Sequence, residues 1–265
     1  MFEAIVLGII QGITEWIPVS SEGMITLAKI KIFHSTAGLK EIVCQALFLH
    51  LGTFLAAVIY FRKDLATLFK IPFAFKKSAE GDKKIFLFLF LTTIVSGLLG
   101  FRLLLAMDKL SASFQTSGKI IMILVAILLF VTGILQLRAK NHGAKTAKNL
   151  KPFDGWLLGM IQGVAVLPGL SRSGTTISCL LMMGFEKTLS LRLSFLMSLP
   201  IILAGNIILN FRGAQWSAEN IISLLVSFLV GLLSINLFFK IAEKINFGIF
   251  IISFAFLVLF SVFIQ

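Results

Sequence analysis

Three formally charged residues lie deep within otherwise apolar stretches of this 265-residue chain: Glu15, Glu22 and Arg172. A charge at the centre of a bilayer costs about 2.5–3.5 kcal/mol on insertion scales, so such residues persist where they pair or line a wet cavity. Two polar patches hold or adjoin them, Ser20-Ser21-Glu22-Gly23 and Ser171-Arg172-Ser173-Gly174. Hydroxyls, a guanidinium fork and free N–H groups at helix starts are the donors that an anion, above all phosphate, requires. Chemistry at phosphorus needs a cation clamp, an in-line nucleophile and a base, often with a divalent metal. Arg172 suits the clamp, because its planar fork meets two phosphate oxygens at once. Ser21 is best placed to attack. Glu15 could activate that hydroxyl, activate a water or hold a metal, and the spacing does not choose among these. Plainer roles stand beside the chemical ones: a Glu15–Arg172 pair that only staples two segments, and serines that only cap helices. Capping alone does not account for four serines converging with both charges.

The elements that must position these residues are membrane helices. Hydrophobic residues make up 58% of the chain, charged residues 14%, and the mean hydropathy is +1.00. A soluble domain carries about 25% charge, so a soluble globule, a disordered chain and a disulfide scaffold are excluded. Long unbroken apolar runs such as Ile120–Leu137 and Gly248–Ile264 argue against a barrel, whose strands alternate. An all-α polytopic membrane protein remains. Ala4–Ile17 is too short to cross comfortably and is ended by Pro18; a second short run, Met24–Phe33, follows the polar patch. Crossings are expected at 43–61, 85–106 and 119–137. After a basic linker the order recurs: a short run at 155–167, Pro168, the second patch, a short run at 175–184, and crossings at 189–211, 221–239 and 247–264. GIIQG at Gly8–Gly12 returns as GMIQG at Gly159–Gly163, 151 residues on, and Gly23 and Gly174 keep that offset.

Each half therefore reads as a re-entrant half-helix hairpin plus three transmembrane helices. Three crossings is an odd number, so two such halves in series point opposite ways, as inverted-topology repeats. The expected organisation is one integral membrane domain over 1–265: repeat 1 at 1–138, a cytoplasmic linker at 139–152 and repeat 2 at 153–265. The net charge of +12 fits this without nucleic acid. With the linker inside, the inside loops near 62–84, 138–151, 186–192 and 240–244 hold 7, 5, 2 and 2 Lys and Arg, 16 in all. The outside loops near 29–40, 107–118 and 212–219 hold 3, 1 and 1, or 5 in all. This bias obeys the positive-inside rule and has the first hairpin entering from outside and the second from inside, meeting near the midplane.

At these motifs the chain resembles the bacitracin-resistance family of membrane undecaprenyl-pyrophosphate phosphatases. The resemblance rests on QGITEWIPVSSEG at Gln11–Gly23, on PGLSRSGTTIS at Pro168–Ser178 and on HLGTFLAAVIYFRKDL at His50–Leu65. It implies hydrolysis of a polyprenyl pyrophosphate lipid at the outer face of the cytoplasmic membrane, recycling the cell-wall lipid carrier, with Mg²⁺ or Ca²⁺ stimulating. It implies catalytic roles for Glu15, Ser21 and Arg172, and phosphate contacts for Ser171, Arg172 and Thr176. Gln11, Ser20, Ser173 and Gly174 join the expected substrate site, and Glu15 and Glu22 the expected metal site. Membrane lipids are expected partners, and a homodimer is left open.

Two departures from the family pattern matter. Gln11 stands where the family has a first glutamate, and Met24 where it has a histidine. Glu22 could restore the lost negative charge. Gln11 and Glu15 share one helix face, and two carboxylates would hold a cation better than one. Gln11→Glu is therefore expected to keep or raise activity. His50, the one histidine in an apolar run, reads as a hydrogen-bonded structural residue in preference to a substitute for the missing imidazole. A transporter or flippase of a lipid phosphate is the alternative to a phosphatase, since broken helices at the midplane of inverted repeats are also transporter architecture.

Overall fold

The computed structural model describes residues 1–35, 37–113, 118–139, 143–167, 169–210, 217–242 and 247–262. Pro168, expected to break the second hairpin, lies outside the described residues, as do parts of the linker and of the 107–118 and 212–219 loops. The chain forms α1 (Phe2–Thr14), α2 (Ser21–Leu27), α3 (Leu39–Tyr60), α4 (Arg62–Ala74), α5 (Glu80–Ser113) and α6 (Gly118–Arg138). After the linker come α7 (Pro152–Val164), α8 (Arg172–Met182), α9 (Lys187–Leu209), α10 (Ala218–Ala242) and α11 (Gly248–Ser261). Among the described residues the only β pairing is one parallel bridge, Lys145 to Phe185.

Among the described residues, four helices are long and apolar enough to cross a membrane: Glu41–Tyr60, Glu80–Ala106, Lys187–Leu209 and Ala218–Ile241. They correspond to four of the six expected crossings. The other two appear as shorter apolar stretches, Met122–Arg138 and Gly248–Ser261, which pack on each other. Large apolar side chains such as Phe90, Leu98, Leu233 and Leu257 face outward, as a bilayer requires and water would oppose. The protein is a multi-pass helical membrane protein. One element goes beyond the sequence expectation. The 62–84 segment, expected to be a loop, contains α4, because Leu65, Leu68 and Ile71 recur every three residues and the helix turns them onto the core.

The repeated GxIQG stretches are packing seams. A Cβ added to Gly8 would stand 2.7 Å from the Ser223 carbonyl oxygen, and one on Gly12 2.7 Å from Val230 Cβ, so α1 lies close against α10. In the second half Gly159 brings α7 equally close to Val95 on α5, and Gly163 brings it against Leu99. Small residues serve this purpose where helices meet in lipid, because no hydrophobic force holds them and close van der Waals contact must. Asn206 on α9 donates to the Leu47 carbonyl of α3 at 2.9 Å, and Ser227 on α10 to the Leu49 carbonyl at 2.9 Å. Trp16, in the break after α1, is buried; its indole N–H donates to the Gly231 carbonyl at 3.0 Å, and its ring meets Phe195 edge-on.

Candidate active site

Both hairpins break in the same way. Ser20 caps α2, its hydroxyl oxygen accepting from the Gly23 N–H at 3.1 Å. Ser171 caps α8, accepting from the Gly174 N–H at 3.0 Å. Each cap satisfies one of the backbone donors that a helix start leaves unpaired. Ser20 Oγ also accepts from the Gly169 N–H at 3.1 Å, tying one break to the other. Gly169 has φ of +100°, and a Cβ there would stand 2.7 Å from Val125 Cα, so only glycine fits this turn.

At this junction Arg172 forms an ion pair with Glu15 Oε1 through Nη2 and donates through Nη1 to the Ser194 carbonyl at 3.3 Å. Glu15 is the more deeply enclosed partner: its side chain is 3% exposed and that of Arg172 17%. The other carboxylate oxygen, Oε2, accepts from Gln11 Nε2 at 2.8 Å and from the Ser21 hydroxyl at 3.1 Å, and lies 3.1 Å from His50 Nε2. Ser21 Oγ is 3.3 Å from that same His50 nitrogen.

Glu15, Ser20, Ser21, Glu22, Ser171, Arg172 and Ser173 all line one cavity of about 160 Å³ between the hairpins and α3, α5 and α9. Its wall also includes the apolar Leu47, Phe101, Leu104, Ile201, Ile202 and Ile208. Three other expected site residues do not line it. Gln11 stands behind Glu15, bonded to it and to Thr53 Oγ1 at 3.3 Å. Gly174 gives its N–H to the cap, and its carbonyl accepts from Gln136 at 2.9 Å. Thr176 donates to the Arg172 carbonyl at 2.8 Å and shares a 2.7 Å hydrogen bond with Ser194, so it braces the arginine from behind.

The structure adds residues that the sequence patches did not include. His50 joins the cavity wall from α3, in contrast to the purely structural role expected for it. Ser194 supports both Arg172 and Thr176, and Ser96, Gln162 and Ser198 form a second polar stretch of wall. Ser190, Ser194 and Ser198 stand four apart in an apolar helix, a one-face polar stripe that could have drawn notice.

Of the two carboxylates expected to hold a divalent cation, Glu15 is engaged by other groups. Both Glu15 oxygens already face a guanidinium, an imidazole, an amide and a hydroxyl. Among the described residues no three His, Cys, Asp or Glu side chains are grouped to hold a metal. Glu22 brings a single carboxylate, where hard cations gather several oxygen ligands.

Fold and site together define a class: a multi-pass helical membrane protein in which two helix breaks bring Glu15 and Arg172 together at one cavity with polar and apolar lining. The chain belongs to the bacitracin resistance protein BacA family, whose model matches residues 4–260. It is 37% identical to an undecaprenyl-diphosphatase of Methanococcoides burtonii, covering 99% of this chain and 98% of the relative. It is 35% identical to an undecaprenyl-diphosphatase of Haloarcula marismortui, over 92% and 90%. With undecaprenyl-diphosphatase 1 of Shouchella clausii the figures are 32%, 92% and 89%.

Proposed function

We propose that this chain hydrolyses undecaprenyl pyrophosphate to the monophosphate and phosphate, as the names of its relatives describe for them. One observation carries the reading most directly. Arg172 lines a cavity whose wall also carries apolar side chains, the combination that a pyrophosphate head on an isoprenyl tail requires. A guanidinium has five N–H donors. Two bonds, to Glu15 and to Ser194, hold its orientation and leave the others for phosphate oxygens. Ser21 lines the same cavity with its hydroxyl bonded to Glu15, and Ser171 and Ser173 offer further polar contacts. Glu15 fixes Arg172 and Ser21 together, so clamp and hydroxyl keep their relative position without substrate.

The inverted repeat belongs to the same proposal. In its support, α1 packs on α10 as α7 packs on α5, and α3 touches α10 as α9 touches α5. Helices at matched places in the two halves thus exchange partners. The charge bias supports a site open to the outer face of the cytoplasmic membrane, where a lipid carrier would be recycled. A flippase without hydrolysis is less well supported, since the relatives are named for a phosphatase activity.

The deciding experiment measures phosphate release from undecaprenyl pyrophosphate by the detergent-purified protein. Release that is lost in Arg172→Lys is expected; absence of release from folded wild-type protein overturns the proposal. For orientation, a cysteine at Ser111 should react with an impermeant thiol reagent in intact cells, and one at Lys77 only after permeabilisation. The reverse order overturns the outward-facing site.

A further inference from the structure

We propose that His50, from α3, is the catalytic residue that accepts the proton of the Ser21 hydroxyl, a role that rests on the phosphatase reading above. Three contacts fix the imidazole. Its Nδ1 is 2.6 Å from the Ala46 carbonyl oxygen. A carbonyl can only accept, so Nδ1 carries a proton. In the neutral ring Nε2 is then the lone-pair nitrogen, and it faces Ser21 Oγ at 3.3 Å. That is the nucleophile–base arrangement, at a distance typical of a site without substrate. The third contact serves the other protonation state. Once Nε2 has taken the proton it becomes a donor, and Glu15 Oε2 lies 3.1 Å away to receive it. Ser21, His50 and Glu15 therefore form a closed triangle in which a proton can leave the serine and meet a carboxylate's charge without side-chain movement.

The alternative acceptor is Glu15 itself, which also receives the Ser21 hydroxyl. Its oxygens already hold the Arg172 pair and the Gln11 amide, so the neutral imidazole, through Nε2, is the acceptor left for the serine proton. Arg172, Glu15 and Glu22 are the charged groups around the ring among the described residues of the cavity wall. Gln11 ties the ring's own backbone into the cluster: its amide donates to Thr53 Oγ1, and that hydroxyl donates to the His50 carbonyl at 3.1 Å. Met24, the position where the sequence resemblance led to an imidazole, packs instead against the apolar cluster that includes Val19 and Val125, and a thioether cannot take a proton from Ser21.

The chemistry balances as follows. Ser21 Oγ forms a bond to the distal phosphorus, and the bond from that phosphorus to the bridging oxygen breaks. Its electron pair leaves on the lipid monophosphate while the serine proton moves to His50 Nε2. His50 then passes that proton to the departing monophosphate. In the second step a water oxygen attacks the phosphoserine and gives a proton to Nε2. The bond from phosphorus to Oγ breaks, Ser21 recovers the proton, and phosphate leaves.

The test uses two substitutions that each keep part of the ring's bonding. His50→Asn retains a donor for the Ala46 carbonyl; His50→Gln places an amide where Nε2 stood. Neither supplies a basic lone pair. Both should lower turnover of undecaprenyl pyrophosphate about 10²–10⁴-fold, with binding of its non-hydrolysable methylene analogue changed by less than about threefold. Acid-quenched wild-type enzyme given substrate labelled on the distal phosphate should carry the label on Ser21, and the two variants should not. Turnover within about fivefold of wild type in either folded variant overturns the proposal. So does wild-type turnover without label on Ser21. Should both variants fail to fold, the wild-type protein decides: diethylpyrocarbonate modification of His50, read by mass spectrometry, should track loss of activity and be blocked by the analogue. Activity that survives complete modification removes His50 from the reaction. A wild-type protein that releases no phosphate, by contrast, defeats the phosphatase reading itself.

Discussion

In the first hairpin Ser20 caps α2 through the Gly23 N–H, and in the second Ser171 caps α8 through the Gly174 N–H, each 151 residues further on. Gln11 and Gln162 keep the same offset. Between these shared positions the halves part. Where the first has Glu15, Ser21 and Glu22, the second has Val166, Arg172 and Ser173. The glutamines divide in the same way. Gln11 donates to Glu15 inside the site, whereas Gln162 donates to Ser96 and to the Met197 carbonyl, joining α7 to α5 and α9. Caps and packing seams are thus repeated, because both breaks face the same problem of unpaired backbone in an apolar surround. The reactive groups are not repeated. Glu15 comes from the first half and Arg172 from the second, and their opposite charges pair across the junction.

If the halves divide the labour in this way, each should fail distinctly. The largest effect is expected for Arg172→Lys, which keeps the charge and loses the planar fork. Turnover should fall about 10³–10⁵-fold, as for arginines that stabilise a phosphoryl transition state, with protein yield little changed. Near-wild-type turnover of the purified variant would leave the second half a scaffold only.

Glu15→Gln comes next, with turnover down about 10²–10⁴-fold. It also leaves Arg172 without its buried partner, and removing one member of such a pair costs about 3–5 kcal/mol. The double variant Glu15→Gln/Arg172→Gln should therefore melt at a higher temperature in detergent than Glu15→Gln alone while remaining inactive. Equal melting temperatures would show that the pair does not couple the hairpins.

Gln11→Glu sharpens the contrast between the glutamines. Placement on one face with Glu15 led to an expectation of retained or raised activity. The structure reverses it: the Gln11 amide donates to Glu15 Oε2 at 2.8 Å, and a carboxylate there would replace a donor with a like charge. Turnover should drop about 10- to 100-fold, as for a broken charge-assisted hydrogen bond of about 1.5–3 kcal/mol. Unchanged kinetics on undecaprenyl pyrophosphate would contradict it.

The smallest effects concern the caps. A Cβ on Gly174 would stand 2.6 Å from Thr132 Cγ2 and 2.9 Å from the Pro18 carbonyl oxygen; on Gly23 its nearest neighbours are at 3.3 Å. Gly174→Ala should destabilise by about 1–3 kcal/mol, as overpacking does, and Gly23→Ala by clearly less. Thermal melts of the two single variants check the order, and a reversed order would refute the tighter packing of the second break.

Much of the scaffold was legible in the residues. Apolar runs set the helices, Pro18 and the Ser-rich patches marked where backbone breaks, and two intramembrane charges of opposite sign announced a pair. These are local signals: hydropathy, capping chemistry and desolvation act on a residue wherever it ends up. The helix α4 was missed because its three-residue periodicity is short and surrounded by lysines.

His50 lies 35 residues beyond Glu15 and 29 beyond Ser21 in a helix that shares no motif with either, so no spacing rule connects them. Only the packing of α3 beside the first hairpin turns that imidazole onto the serine, with Ala46 fixing which nitrogen is free. The same holds for Thr176, which the motif suggested as a phosphate contact and the fold places behind the arginine. The sequence by itself determined that charges and hydroxyls must meet inside a membrane, since isolated they would be too costly to bury. Which of them touch, and which atom faces the cavity, was decided by tertiary structure, because contacts between distant segments depend on helix rotation and approach that no local pattern encodes.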